Sequence, residues 1–526
     1  LTLTIRSIAM TRSILISFAV AAALSVAAQD KSRLSTDIID TYTEMIAASP
    51  SNCDLYLSRA TEYASQGLLS AALIDLNDAM RLAPKGEKGL RFEILTQRAA
   101  ILERQHDFEG ALADLDAAAK LYPDVPSLTL SRARVLTGIA RYSEARETYN
   151  SYRRLNPRSS EAIFGLAKAS ALEADSDMAL RYMNEGIDAA PKAGDSYLAA
   201  AEIHLILRRK DEAVTDYIKA LACGDNAAAS ALQKLVDMSA EGYPDVMKGL
   251  DKAITAAPTS GELYFLRASI AQDHDHHRQA LADFNRIDGT GPFAGGALGE
   301  AMAESLFALG RCDDALNQLD RVPEPLRGDS WHTLRARILI NLGRHDDALA
   351  ETVEALMIQP SSIAAMEAKA RALMGAGRDA DAAATLSEAL ITDPSSTPEL
   401  YYLATSIAPD RRRSMLMEEA AELPFDPADP ASLKGFALIA LGRTDEAVAW
   451  ASALNRFATA GDGVAQFISA CIYARVGKTD EALRSLETAI KAGFDNCQLI
   501  LTDTTPGISI APLREHRRFR EITASL

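Results

Sequence analysis

Cysteine is scarce in this chain and badly placed for a disulfide framework. Only five occur in 526 residues, Cys53, Cys223, Cys312, Cys471 and Cys497, an odd number scattered without CxxC spacing. Most therefore read as small buried residues, although Cys471 and Cys497 stand close enough in sequence to bridge if their side chains face each other. Runs of alternating Val, Ile and Thr are missing, which argues against a sheet. HExxH and GxSxG are missing too, which removes zincin metalloproteases and α/β-hydrolases. Cations are in deficit, with 55 Lys and Arg against 72 Asp and Glu and a formal net charge of −17. A nucleic-acid partner, which needs a cationic face, is not expected.

What the chain has in abundance is alanine at a fixed interval. Ala72, Ala111, Ala145, Ala179, Ala213, Ala280, Ala315, Ala348, Ala382, Ala447 and Ala482 are mostly separated by 33 to 35 residues, and two wider gaps are near double that. A second row runs in phase about twelve residues earlier: Ala60, Ala99, Ala133, Ala167, Ala201, Ala268, Ala303, Ala336, Ala370, Gly435 and Ala470. Glycines fall between the rows at Gly67, Gly310, Gly343, Gly377, Gly442 and Gly477, and prolines such as Pro50, Pro84, Pro123, Pro157, Pro191 and Pro258 close many units. A small residue on each of two helices, with a helix-stopping turn between, builds a closely packed antiparallel pair. A period of this length marks a solenoid whose units bury their apolar faces only by stacking.

Tyr56, Ala60, Tyr63, Gly67, Ala72, Leu76, Ala79 and Pro84 spell out the pattern in the first unit. In these residues the chain resembles the tetratricopeptide repeat family. That resemblance implies an all-α, right-handed α-solenoid of about thirteen helix-turn-helix units, with an N-terminal half-unit at 33–50 and a C-terminal cap. The expected organisation is a signal peptide at 1–28, an N-terminal array at 29–225, a degenerate repeat at 226–258 and a central array at 259–395. A second degenerate repeat at 396–427, repeats at 428–492 and the cap at 493–526 follow. In the cap, Leu513, Phe519 and Ile522 are placed to cover the last repeat. A 35-residue RNA-reading repeat also gives paired helices, but the acidic balance disfavours it.

The N-terminal stretch reads as a Sec-type signal peptide. A basic start at Arg12 precedes the apolar run Ile14 to Val26 and the small residues Ala27 and Ala28, with Met10 giving a better n-region than Leu1. An uncleaved membrane anchor is the alternative, disfavoured by the shortness of the run. The mature chain is expected to be periplasmic or secreted, with no membrane span.

Several stretches imitate chemistry. Gly477-Lys478-Thr479 looks like the end of a phosphate-binding loop, but Ile472 stands where the upstream glycine belongs and the tripeptide falls on a repeat turn. The run Gly289 to Gly299 holds five glycines without a preceding strand, so it reads as an inter-repeat loop. His274, His276 and His277, beside Asp273 and Asp275, form a weak candidate metal site; solvated polar residues at the end of a first helix are the simpler expectation. Arg411 to Arg413 reads as a solvated helix start, or as a dock for an anionic partner.

No catalytic residue and no cofactor are expected. In the family, first helices line the concave groove, and the residue after each first-helix small position points into it. Here that row includes Arg134, Lys168, Glu202, Arg337 and Arg371, and four residues earlier on the same face stand Leu130, Phe164 and Leu198. Leu130, Phe164 and Leu198 beside Arg134 and Lys168 form a cationic, apolar stretch suited to an extended peptide with a carboxylate. The expected function is a protein-binding scaffold of the cell envelope, or else a regulatory or substrate-recruiting subunit of an envelope enzyme or transport complex.

Overall fold

The computed structural model describes residues 38–123, 125–223, 227–288, 296–392, 415, 417–418, 421–422, 434–457, 463–502, 509–524 and 526. The signal-like segment, most of the second degenerate repeat and Arg411 to Arg413 lie outside the described residues. Among the described residues there is no strand. The chain divides into two compact units, one ending at Lys234 and the other beginning at Leu235.

Unit 1 opens with α1 at 38–48. It continues as antiparallel pairs: α2 (Cys53–Ser65) with α3 (Leu69–Leu82), α4 (Lys88–Arg104) with α5 (Phe108–Leu121), α6 (Pro126–Gly138) with α7 (Tyr142–Leu155), α8 (Ser160–Leu172) with α9 (Ser176–Ala189), and α10 (Gly194–Ile206) with α11 (Lys210–Cys223). α12 (Ala227–Ala256) starts before the division at Lys234 and has its break, at Gly242, within unit 2, with Pro244 just beyond, so the degenerate repeat is two helices joined by a kink instead of a turn.

Unit 2 pairs α13 (Gly261–Asp273) with α14 (His277–Phe284), α15 (Gly296–Ala308) with α16 (Cys312–Asp320), α17 (Asp329–Asn341) with α18 (His345–Ile358), and α19 (Ile363–Gly375) with α20 (Asp379–Thr392). Beyond these lie α21 (Lys434–Ala440) with α22 (Thr444–Phe457), α23 (Val464–Arg475) with α24 (Thr479–Lys491), and the short α25 (Cys497–Leu501) and α26 (Arg517–Thr523). Each unit is an α-solenoid of stacked helix pairs.

The alanine rows are the packing seam. All eleven second-helix alanines, from Ala72 to Ala482, have 0% solvent exposure, and the first-helix alanines are at most 2% exposed. Side chains this small let the paired backbones close, so larger ones would overpack the seam. The turns are equally regular: the amide three residues beyond each first helix bonds back to a carbonyl five residues earlier, as from Leu68 to Tyr63, Arg141 to Leu136 and Arg344 to Leu339, at 2.9 Å each. Gly67, Gly310, Gly343, Gly377, Gly442 and Gly477 all take positive φ there, and where glycine is missing His106, Ala140, Ala174, Arg208 and Asp275 take it instead.

A second regularity holds neighbouring pairs in register. The arginine just before the first-helix alanine bridges a group about sixteen residues back and another sixteen ahead. Arg59 meets Thr43 at 2.9 Å and Asp75 at 2.7 Å. Arg267 meets Asp251 and Asp283, and Arg335 meets Asp320 and Glu351. Asp75, Asp114 and Asp283 are buried, so each depends on its arginine for compensation.

Two expectations are corrected. Gly296 and Gly299 are not loop residues; they lie in the first turn of α15, where an added Cβ would come to 3.0 Å from Val322. Cys471 and Cys497 do not bridge: none of the five cysteines is in a disulfide, Cys471 belongs to the core cluster around α23, and Cys497 turns toward Gly310. Burial pushes the Cys497 thiol up, keeping it un-ionised.

At the C-terminus Leu513 and Phe519 are buried in the same cluster as Ala470 and Leu486, and Ile522 packs against it. Burial of each large apolar side chain there contributes about 1.5–3 kcal/mol at full coverage.

Candidate binding groove

Consecutive first helices pack side by side in both units, and their shared face carries a ladder of polar contacts. In unit 1, Thr61 Oγ1 lies 3.2 Å from Gln97 Oε1. Arg134 donates to Glu103 at 3.1 Å and to Glu161 at 2.6 Å, and Lys168 donates to Glu202 at 3.2 Å. Every cation in this part of the predicted row has therefore met a carboxylate, and the surface alternates in charge. Leu130 is 8% exposed and belongs to the core around Ala133; Phe164 and Leu198 are half-buried. Phe164 lies over Gly186, where a Cβ would come within 2.7 Å of the ring. Less apolar area faces outward than the residue types imply.

Unit 2 repeats the ladder. Gln272 donates to Glu304 at 3.5 Å, Arg337 approaches the other oxygen of Glu304 at 3.7 Å, and Arg371 is held by Glu367 at 2.8 Å. Arg337 also lies over the Phe307 ring, 5.6 Å from its centroid. Here the face encloses a cavity of about 510 Å³, lined by Asp273 of α13, Glu304 and Phe307 of α15, Arg337 of α17 and Arg371 of α19. Of the predicted row, Arg337 and Arg371 are thus brought to one cavity.

Its remaining wall comes from the far end of the unit. The turn before α25 returns to the start of α14, where Asp495 accepts from the backbone amides of His277 at 2.7 Å and Arg278 at 2.9 Å. Its own amide donates to the Asp275 carbonyl at 3.0 Å. Asn496 donates to the Asp275 carboxylate at 2.8 Å, and Asn341 donates to Gln498 at 2.7 Å. The residue preceding α14, His276, gives no side-chain cap, so Asp495 performs that role from more than 200 residues away. Sequence reasoning missed this contact, because an aspartate after a repeat turn carries no local sign of its target.

The histidines belong to the same junction. His274, His276 and His277 are buried, at 8%, 6% and 4% exposure, contrary to their reading as solvated turn residues. His274 lies 3.2 Å from Ser239 Oγ, and the His274 and His276 rings pack against Tyr243. Gly493 at φ +107° closes over His276, where an added Cβ would sit 2.7 Å from the ring. Among the described residues no group of three or more His, Cys, Asp or Glu is placed to hold an ion. Gly477, Lys478 and Thr479 occupy an ordinary repeat turn, with Lys478 preceding α24.

Stacked helix pairs presenting first helices as a row of charged contacts define a helical repeat scaffold for protein–protein interaction. More particularly, the chain carries tetratricopeptide repeats: models of that repeat match residues 96–160 and 339–407. Similar solved structures include YrrB, described as a TPR protein with an unusual peptide-binding site, at 18% identity, covering 37% of this chain and 97% of that one with a TM-score of 0.26. A thermophilic TPR protein from Thermus thermophilus, TTC0263, is 20% identical, covering 35% of this chain and 100% of that one with a TM-score of 0.29. Yeast Tom70 is 14% identical, covering 75% of this chain and 96% of that one with a TM-score of 0.35. No curated protein matches the chain. Among the described residues no helix is long and apolar enough to cross a membrane.

Proposed function

We propose that this chain is a non-catalytic scaffold of the bacterial cell envelope that receives a protein or peptide partner on its first-helix face. The observation that supports this most is the charge ladder itself. Arg134, Glu161, Lys168 and Glu202 are each 44–57% exposed in their pairs. Exposed pairs of this kind contribute only about 0–1 kcal/mol each, so a partner exchanges into them at little cost while their order sets its register. The signal-like segment ending at Ala28 supports an exported location, and the net charge of −17 supports a protein partner over nucleic acid.

Photocrosslinkers placed at Arg134 and Lys168 in envelope fractions are expected to capture a partner, whose binding weakens at least about tenfold, near 1.4 kcal/mol, in the Arg134→Glu, Lys168→Glu double variant. Binding that survives this reversal but is lost on changing the exposed second-helix residues Ile74 and Leu155 would overturn the reading.

A further inference from the structure

Resting on the reading of the first-helix face as the binding face, we propose that residues 495–499 form an autoinhibitory strap, which holds in cis the part of the unit 2 face that an acidic segment of a partner takes when the strap is displaced. The strap has two unlike sides. Phe494 and Ile500, which flank it, are fully buried in the cluster around α23, and the Phe494 ring stacks on Phe467 with 4.5 Å between centroids. Toward α13 to α17 its polar groups dock by hydrogen bonds: the Asp495 carboxylate accepts from the His277 and Arg278 amides, the Asp495 amide donates to the Asp275 carbonyl, and Asn496 donates to the Asp275 carboxylate. Gln498 accepts from Asn341 and donates to the Cys312 sulfur at 3.7 Å. Apolar burial fixes the strap to its own end of the unit, whereas hydrogen bonds exchange for those of another chain with little net change. Release is therefore a property of the docked side.

That docked side is built as a peptide is held by a receptor. A carboxylate on two main-chain amides, a main-chain amide on a carbonyl, and side-chain amides on Asp275 and Asn341 are contacts that a segment of a second protein makes equally well. Position makes the occupancy inhibitory. Asn496, Gln498 and Leu499 wall the cavity that Phe307, Arg337 and Ile340 line from the first helices, so a partner cannot run along α15 and α17 past the strap. It binds only the fraction of molecules whose strap is released, and its apparent affinity falls by that fraction. The chemistry it presents is the strap's own, a carboxylate followed by side-chain amides.

The test titrates the full chain with a labelled peptide of residues 493–502, serine replacing Cys497, and follows fluorescence anisotropy. An Asp495→Ala, Gln498→Ala variant, which alters the strap and leaves α13 to α17 intact, is expected to bind the peptide at least tenfold more tightly than the unaltered chain. Asp495→Asn, which keeps one acceptor oxygen, falls between the two and carries the comparison if the double variant loses its circular dichroism. Alanine in place of the peptide's aspartate weakens binding to the double variant at least tenfold. A lock supplies the converse: a Cβ at Gly310 lies 3.9 Å from the Cβ of Cys497, within the roughly 3.5–4.5 Å of disulfides, and Ala140 and Asp275 carry side chains at the equivalent positive-φ position. Gly310→Cys added to the double variant and oxidised with glutathione disulfide is expected to lose the peptide, and dithiothreitol to restore it. Binding to the double variant no tighter than to the unaltered chain, indifference to the peptide's aspartate, or equal binding by the oxidised and reduced lock overturns the proposal. If crosslinking at Arg134 and Lys168 in unit 1 still captures a partner, the scaffold reading stands and only the strap falls.

Discussion

Asp273 ends α13 in a setting that disfavours its own charge. Burial, then the neighbouring carboxylates of Glu304 and Asp275, push its pKa up to about 6 from the ordinary 3.8. The folded chain therefore holds more protons than the unfolded chain between those values, and stability from this group falls as pH rises through that window. Asp273→Asn is expected to raise the melting temperature at pH 7.5 and to lose that advantage progressively as pH falls from about 6 to below 3.8, where both forms of the chain become protonated at this position. A lower melting temperature at pH 7.5 would mean that the carboxylate has a stabilising partner. The residue types around this site were visible in the sequence, including the unusual Asp273 to His277 stretch. Their burial was not, because it is produced by Tyr243 and by Gly493, which approach from other parts of unit 2.

At the scale of the helix pair, the turn position separates backbone cost from packing. Gly343 takes φ +72° and an added Cβ there would meet nothing within 4 Å, whereas Ala140 holds φ +60° at the equivalent point with a side chain open to solvent. Left-handed backbone costs a residue with a Cβ about 1–2 kcal/mol. Gly343→Ala is thus expected to destabilise by about 1 kcal/mol, and Ala140→Gly to stabilise by up to about 1 kcal/mol after the extra flexibility of the unfolded chain is offset. Urea unfolding midpoints check both, and shifts of the same sign would contradict the shared geometry. Elements of this kind were largely legible, since two alanine rows and a glycine between them repeat a local packing rule. The bridging arginines were legible in principle: Arg59, Arg98 and Arg267 precede the first-helix alanine and Asp75, Asp114 and Asp283 follow sixteen residues later. Periodicity of small residues points to the seam and not to the charges that register one pair against the next.

On the scale of the molecule, an ideal solenoid has contacts only between neighbouring repeats, and a sequence period describes it completely. Unit 2 departs from that ideal where Asp495, Asn496 and Gln498 return to α14, Asp275 and Asn341, and no period carries a contact across 218 residues. The same return completes the cavity, which is why the predicted row contained Arg337 and Arg371 but not Asp273, His277 or Asn496. Asp495→Ala removes the acceptor for two amides at the start of α14, one of them on the buried His277. Loss of a helix cap together with an unsatisfied buried donor costs about 2 kcal/mol, or roughly thirtyfold in the local opening equilibrium. Hydrogen exchange at the His277 and Arg278 amides is expected to accelerate by about that factor, with Asp495→Asn intermediate because it keeps one acceptor oxygen. The amides of α2 and α3, in the other unit, serve as the unchanged reference. Unaltered exchange at His277 and Arg278, with acceleration confined to α24, would mean that the turn is held by the last repeat alone and that the cavity wall does not depend on this docking.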